Sequence, residues 1–530
     1  ELNSPTRASE PSSMARSISV MQRCQYDAVS RGRNRDATIP LETRSNLVLD
    51  VPMTRALALF LIALLLPATA LTRPRLLVLT DISNEPDDEQ SMVRLLCYTN
   101  ELEIEGLIAT TSCWLRNRTA PGKIVERIEA YRQVRKNLTV HAGGWPEADE
   151  LLKTVKEGIP RFGMEGVGEG HDSTGSEHII RVVDENDTRP VYVSVWGGAN
   201  CLAQALWKVS KTRPRAEADR FISKLRVYTI SDQDDAGPWM RNRFPGLFYI
   251  VSPGHEEGQG GSYHYATWVG ISGDRFHGRF RGPDFSLVDN PWLDQHIRNN
   301  HGPLGAMHPH TKYLMEGDTP SFFWVIPNGL NEPEHPDWGG WGGRYELYTA
   351  PPKRYYHEPE TRPIWTNAMD EVKGVDGKWH TSNHATIWRW RREYQHDFAA
   401  RIDWSNSSEF ETANHPPLAI VNGDRTREAI HLTVAPGNKV TLDASKTSDP
   451  DGDKIAFRWH PYREVGSFPL TIHFRNLTWQ GDDTAVLTIN APRVKAPRTI
   501  HFILEATDGG APPLTSYRRV IITIDPDQGN

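Results

Sequence analysis

Cysteine is scarce in this sequence. Among 530 residues only Cys24, Cys97, Cys113 and Cys201 occur, and no spacing among them reads as a zinc site or a disulfide framework. Stability therefore rests on ordinary cores, and the length is enough for two or three domains. A basic surplus is also missing. The 60 Lys and Arg are outnumbered by 67 Asp and Glu, for a net charge of −7, so no field points to nucleic acid. Residues 1–52 contain no Lys, are rich in Arg and Ser, and show no apolar period. They read as disordered, or as a gene-model artefact upstream of a start at Met53. The apolar run Ala56 to Leu66 is short of the roughly 20 residues that span a bilayer. With Met53-Thr54-Arg55 before it and Ala68-Thr69-Ala70 after it, residues 53–70 have the layout of a secretory signal peptide. The expectation is a secreted, extracellular protein with no membrane attachment after cleavage. N-x-S/T triplets at Asn117, Asn137, Asn186, Asn406 and Asn476 fit a glycoprotein.

What the sequence has in quantity is Trp (17) and Gly (41), which suit sugar-facing surfaces as well as large cores. The stretch that organises the chain runs from Leu76 to Asp88. The apolar Leu76-Leu77-Val78-Leu79 suits a buried strand. It ends in Asp81, and Glu85, Asp87 and Asp88 follow before an amphipathic segment, Met92 to Leu96. Carboxyl ends of parallel strands are where α/β folds bind ligands. Clustered carboxylates are stable mainly around a cation, and all-oxygen ligands suit Ca²⁺. A solvated loop capping a helix is the plain alternative.

From Leu76 to about Ile326, strand and helix alternate. Strands are expected at Ile104 to Thr111, Leu138 to Ala142, Pro190 to Trp196, Leu225 to Ile230 and Leu247 to Val251. Helices are expected at Pro121 to Val134, Glu147 to Lys156, Ser176 to Val183 and through Trp207. The implied fold class is α/β, a mostly parallel doubly wound sheet with helices on both faces. Residues 253–312, rich in Gly, His and aromatics, read as long functional loops. Trp338 and Trp341 in the Gly-rich run after Pro336 could wall a sugar site or fill a core. Ala385 to Ala400 reads as a helix closing the first domain, 71–410. After His415-Pro416-Pro417, short alternating strands predict a β-sandwich over 411–530 with Trp459 between its sheets. In that part Asp449-Pro450-Asp451-Gly452-Asp453 has His460, not Glu, at the twelfth position. An EF-hand is excluded and the segment reads as a turn.

Three separated motifs resemble one family. Asp81 followed by Asp87-Asp88 resembles the Asp-Pro-Gly-x-Asp-Asp signature of calcium-dependent nucleoside hydrolases, two residues longer. Trp196-Gly197-Gly198-Ala199-Asn200 resembles their Gly-Gly-Leu-Thr-Asn turn, one residue shorter. Glu316-Gly317-Asp318-Thr319-Pro320 resembles their late His-Asp-Pro motif, with Gly317 at the histidine. With Ser231 to Gly237 and Ile387-Trp388-Arg389-Trp390, these departures match a secreted branch. Its members are cellulose-binding proteins with a nucleoside-hydrolase-like domain and a C-terminal Ig-like domain. The resemblance implies Ca²⁺ held by Asp81, Asp88, Asp318 and the Trp196 carbonyl, with Asp81 also the general base. It implies Asp87 and Asn200 on sugar hydroxyls or in support of the ring of carboxylates. Asp232 and Asp235 would line a more polar pocket suited to a larger glycoside of cell-wall type. The function expected is calcium-dependent hydrolysis of an N- or O-glycosidic bond. The alternatives are non-catalytic binding of cellulose or another carbohydrate, and nucleoside hydrolysis.

Overall fold

Strand β1 (Arg75–Thr80) is buried along its whole length, as a central strand covered on both faces must be. Its side chains alternate between two cores. Leu76 and Val78 join one apolar cluster, and Leu77 and Leu79 join the other. Burying each contributes roughly 1.5–3 kcal/mol. The computed structural model describes residues 73–252, 263–275, 278–349, 363–470 and 477–529. The segments 1–52 and 53–70, Cys24 and Asn476 lie outside these residues.

The sheet is completed by β2 (Glu103–Ala109), β3 (Val155–Glu157), β4 (Val191–Val195), β5 (Leu225–Thr229), β6 (Phe248–Val251), β7 (Tyr345–Thr349) and β8 (Pro363–Asn367). Its order is β3-β2-β1-β4-β5-β6-β8-β7. Every pairing is parallel except β7 with β8. The doubly wound α/β class is therefore the fold observed. Strand order reverses between β1 and β4, which opens a crevice at their carboxyl ends. Helices α1 (Pro86–Leu96) and α2 (Pro121–His141) cover one face. Helices α3 (Ala148–Thr154), α4 (Thr174–Asp184) and α5 (Asn200–Thr212) follow in the chain, and α4 and α5 cover the other face.

Leu138 to Ala142 is not a strand. Ile124, Ile128, Tyr131, Val134 and Leu138 form one buried stripe at helical spacing, so α2 runs on to His141. The helix expected at 385–400 is two, Ala385–Trp388 and Arg391–Asn406. Between them Arg389 turns to Asp370 (2.8 Å).

One ion pair ties α1 to the far end of this half of the chain. Arg94 and Glu316 are both fully buried. Besides a direct Nε contact, Arg94 Nη2 donates to Glu316 Oε1 (3.1 Å), and Arg94 Nη1 donates to the Tyr394 carbonyl (3.0 Å). His308 Nε2 lies 3.0 Å from Glu316 Oε1, and Gln90 Oε1 accepts from the Glu316 amide (3.0 Å). Residues 316–318 are thereby fixed against the helix that begins with Asp87 and Asp88.

Residues beyond 430 form a four-stranded sheet, β11-β17-β16-β13, and a three-stranded sheet, β12-β15-β14. Here β11 is Ile430–Val434, β12 Lys439–Asp443, β13 Ala456–Pro461, β14 Thr478–Gln480, β15 Val486–Asn490, β16 Arg498–Thr507 and β17 Thr515–Ile524; β9 (Asp370–Lys373) and β10 (Trp379–Ser382) are a separate hairpin. Trp459 is buried with residues of both sheets, as expected. This sandwich does not hang from a linker. Tyr462, Val465, Ile503 and Tyr517 belong to the same core cluster as α1 and α2. Buried Arg519 donates to the carbonyls of Leu330 (2.9 Å) and Gly339 (2.7 Å). Tyr462 donates to Asp370 (2.7 Å), which also holds Arg344 and Arg389.

Two outcomes follow from these contacts. Arg94→Met, which leaves Glu316 buried without its partner, is expected to cost roughly 3–5 kcal/mol in urea unfolding. Removing both charges in Arg94→Met/Glu316→Met is expected to recover part of that loss. In calorimetry the shared core predicts a single transition for the sheet and the sandwich, and two well-separated transitions would contradict it.

Candidate functional site

Thr80 ends β1 fully buried, and its Oγ1 accepts from the Ile82 amide (3.0 Å) while its hydroxyl donates to Asp88. Asp81 is thus delivered to the carboxyl end of β1 at the strand-order reversal. Ser83 takes a left-handed φ of 95° to turn the chain. Pro86 then opens α1, where its missing N–H costs nothing. Asp87 and Asp88 occupy the first turn of α1, where the helix dipole favours negative charge. From the neighbouring strand end, Ser112 donates to Asp81.

The turn after β4 comes close enough to need glycine. A Cβ on Gly197 would lie 2.7 Å from Asp81 Oδ1. The same holds at the late motif, where a Cβ on Gly317 would meet Leu314 at 2.3 Å and Asp87 Oδ2 at 2.9 Å. A histidine at 317 would require the Leu314 and Asp87 side chains to shift. Glu316, at φ 52°, redirects the backbone so that Asp318 faces the start of α1.

Asp87, Asp88 and Asp318 are all buried, and each offers a carboxylate oxygen within 4.8 Å of the others. Oδ2 of Asp318 is buried with no hydrogen-bond partner among the described residues. Burial first, and repulsion from neighbouring carboxylates second, raise Asp87, Asp88 and Asp318 well above the usual range. Burial pushes Asp81 up to about 6 against the bond from Ser112. Burial and the charges of Asp81 and Asp274 push Glu85 up to about 7. These hard oxygen donors, close-set, deprived of water and short of hydrogen bonds, fit a divalent cation.

The group opens into a cavity of ≈ 410 Å³. Asp81, Glu85, Asp274 and Gln233 line it together with Trp114, Trp196, Tyr263, Trp268 and Tyr313. The rings of Trp114 and Tyr263 are 6.4 Å apart, and those of Tyr263 and Trp268 are 5.9 Å apart. They form one aromatic wall beside the acids. Trp114 and Tyr313 are partly exposed at its rim.

The cluster of mutually close oxygens contains Asp87 and does not contain Asp81, which borders it. The Trp196 carbonyl accepts from the Gln233 side chain. Five other expected site residues do not line the cavity. Asn200 donates to the Arg161 carbonyl (2.7 Å) and Thr111 (3.2 Å). Asp232 forms a two-pronged pair with Arg241 (2.7 and 2.8 Å). Asp235 accepts from the Met164 amide (2.8 Å). Trp338 stacks on His335 (3.9 Å) and meets His501 edge-on (4.9 Å). Trp341 is buried and donates to Tyr517 (3.3 Å), so both tryptophans fill the junction with the sandwich. The acidic run after β5 contributes Gln233 to the wall. Asp234 instead accepts from the amides of Asn200 (3.1 Å) and Ala236 (3.0 Å). Cys97, Cys113 and Cys201 are free thiols.

Sequence reasoning did not single out Ser112, Trp114, Tyr263, Trp268, Asp274 or Tyr313. Three of these six come from the aperiodic, aromatic-rich 253–312 region, and Tyr313 follows it directly. Ser112 follows the parallel strand beside β1, which is the only local signal for it.

Comparison with known proteins gives a concordant result. The family described as "Cellulose-binding Sde182, nucleoside hydrolase-like domain" matches residues 75–345. The one described as "Cellulose-binding protein Sde0182, C-terminal domain" matches residues 439–524. Among solved structures, a nucleoside hydrolase-related hypothetical protein from Saccharophagus degradans, associated with carbohydrate metabolism, is 36% identical. That alignment covers 86% of this chain and 100% of the other, with a TM-score of 0.71. The type III effector protein XopQ, complexed with adenosine diphosphate ribose, is 13% identical over 67% of this chain and 98% of its own, with a TM-score of 0.28. The PKD domain from the KIAA 1837 protein is 22% identical over 20% of this chain and 86% of its own, with a TM-score of 0.14. The last two scores are too low to support an argument. No curated protein matches the chain. On the extent of these matches, the chain belongs to the cellulose-binding Sde182 family, whose members carry a nucleoside hydrolase-like domain.

Proposed function

We propose that the chain is a secreted, calcium-dependent hydrolase of N- or O-glycosidic bonds in a carbohydrate of cell-wall type. The observation that carries this reading is the Asp87–Asp88–Asp318 group beside Asp81, open to an aromatic-walled cavity. Membership of a cellulose-binding family and a relative associated with carbohydrate metabolism support the substrate class.

Asp87, Asp88 and Asp318 would hold the ion. When bound, a divalent cation lowers the pKa of a water it carries and offsets developing negative charge. Asp81 accepts the proton. It is held by Ser112 and it borders the cluster, the placing a general base for a bound water needs. Attack by water without a covalent intermediate inverts the anomeric centre. Trp114, Tyr263 and Trp268 offer flat faces to a sugar ring, and Gln233 and Asn84 offer neutral polar groups on the same wall.

A second reading, non-catalytic carbohydrate binding, is favoured by Gly317. Nucleoside hydrolases place a histidine there, and this chain offers no side chain at that position. A panel of cell-wall glycans and aryl glycosides, with inosine and uridine included, separates the readings. The hydrolase predicts product from at least one glycan, lost on chelation. Asp81→Asn is expected to lower turnover by roughly 10²–10⁴-fold with the fold intact by circular dichroism. Binding without product from any member of the panel would establish the second reading.

A pH dependence also follows. Raised carboxyls such as Asp81 and Glu85 stabilise the fold at low pH, and that contribution is lost as pH rises through their folded values. The chelated protein is therefore expected to melt at a higher temperature near about pH 5 than near about pH 7.5. Added calcium is expected to raise the melting temperature most at the higher pH. A melting temperature indifferent to calcium at both would remove the cation from the proposal.

A further inference from the structure

Five carboxylate oxygens among the described residues are buried without a hydrogen-bond partner. They belong to Asp318, Asp337, Asp449, Glu464 and Asp508. Two of these carboxyls keep a charged or chargeable neighbour, Asp337 beside His335 (3.8 Å) and Glu464 beside Arg389 (3.5 Å). Asp318 belongs to the acidic group in the cavity. That leaves Asp449 and Asp508, in two loops of the sandwich that residues 414 and 415 bridge: Asn414 donates to Asp508 (3.1 Å) and the His415 amide donates to Asp451 (2.7 Å), two residues from Asp449.

Each of the two is oriented by main-chain amides on one oxygen only. Asp449 Oδ1 accepts from the amides of Asp451 (2.9 Å) and Asp453 (3.0 Å). Asp508 Oδ1 accepts from the amides of Gly510 (3.0 Å) and Leu514 (2.9 Å) and from Asn414 Nδ2 (3.1 Å). The Oδ2 atoms are the bare ones, and Asp508 is only 5% exposed. Burial, and the nearby charge of Asp449, raise the Asp508 carboxyl. Holding a bare carboxylate oxygen out of water beside a second carboxylate is unfavourable unless something positive meets it. Of the loop's other two acids, Asp451 is already spent on His415, whose amide donates to it (2.7 Å).

We propose that Asp449 and Asp508 form a second cation site, selective for a hard divalent ion such as Ca²⁺, where residues 414–415 meet the sandwich. Two carboxylates leave most of the roughly six to eight oxygens of calcium to main chain and water, so this site is weaker than one with three carboxylates. The segment is not an EF-hand. Its Asp-Pro-Asp-Gly-Asp turn supplies one ligand and its partner comes from the loop between β16 and β17. Asn414 ties that second loop to the end of the preceding α/β half. Occupancy would therefore stiffen the junction without involving the cavity.

Calcium titration of the full chain by calorimetry, with wild type, Asp449→Asn and the cavity variant Asp88→Asn/Asp318→Asn, tests the proposal. Wild type is expected to bind one equivalent more than Asp449→Asn, and the cavity variant is expected to retain one equivalent. Equal stoichiometry in wild type and Asp449→Asn, or no binding by the cavity variant, overturns it. Hydrogen exchange on the cavity variant asks the same question without altering the new site. Calcium should slow exchange at residues 449–453 and 508–514, and no slowing there counts against the site. If wild type binds one equivalent and Asp449→Asn binds none, this site stands and the cation in the cavity falls.

Discussion

Mutual repulsion among carboxylates held out of water is the constraint on which this structure turns. Asp81, Asp87, Asp88 and Asp318 converge on one end of the sheet, and each raises the proton affinity of others. Such a group disperses unless its frame resists. The resistance comes from elements with no direct part in the site. Thr80 and Ser112 hold two of the acids by hydrogen bonds. Arg94, in the last turn of α1, and Glu316 bind that helix to the loop that ends in Asp318, and the ion pair is itself screened from solvent. Glycines at 197 and 317 let backbone approach the Asp81 and Asp87 side chains more closely than a Cβ would allow without a shift. The acidic end of the sheet is thus held together by its frame, with a buried ion pair behind it.

Much of this was legible in the sequence because it is local. An apolar strand, a turn and an amphipathic helix place Asp81, Asp87 and Asp88 without any distant information. The alternation of strands and helices gave the parallel sheet, and short strands gave the sandwich. Asp318 could be proposed only from a resemblance, since nothing in Glu316-Gly317-Asp318 announces a partner more than two hundred residues earlier. The acidic run Asp232 to Asp235 looked like pocket lining, but each acid meets a donor that periodicity does not reveal: Arg241 for Asp232, the Met164 amide for Asp235. Trp338 and Trp341 went to the junction because the sandwich offers His501 and Tyr517 to pack against. Most of the aromatic wall came from a stretch with no period at all, where sequence identifies composition and leaves position open, and Trp114 joins it from the loop after β2. Leu138 was misjudged for the opposite reason: a short apolar run hid the continuation of a stripe begun at Ile124.

The sandwich is part of the same argument. Its strands carry a core of their own around Trp459, yet Tyr462, Val465, Ile503 and Tyr517 are committed to the core of the α/β half. Arg519 spends its hydrogen bonds on carbonyls of that half. The residues that a surface survey would offer as sugar-binding tryptophans are the ones that glue the two parts together.

That shared core sets the geometry of any work done on a solid. Because sheet and sandwich share one core among the described residues, a surface held by either part would fix the height and angle at which the cavity meets it. A hydrolase built this way would work as a stamp rather than a tethered probe, reaching only what lies beneath its own footprint. On an insoluble fibre its yield would be set by how often it lands and by how much surface is already covered, not by the length of a leash.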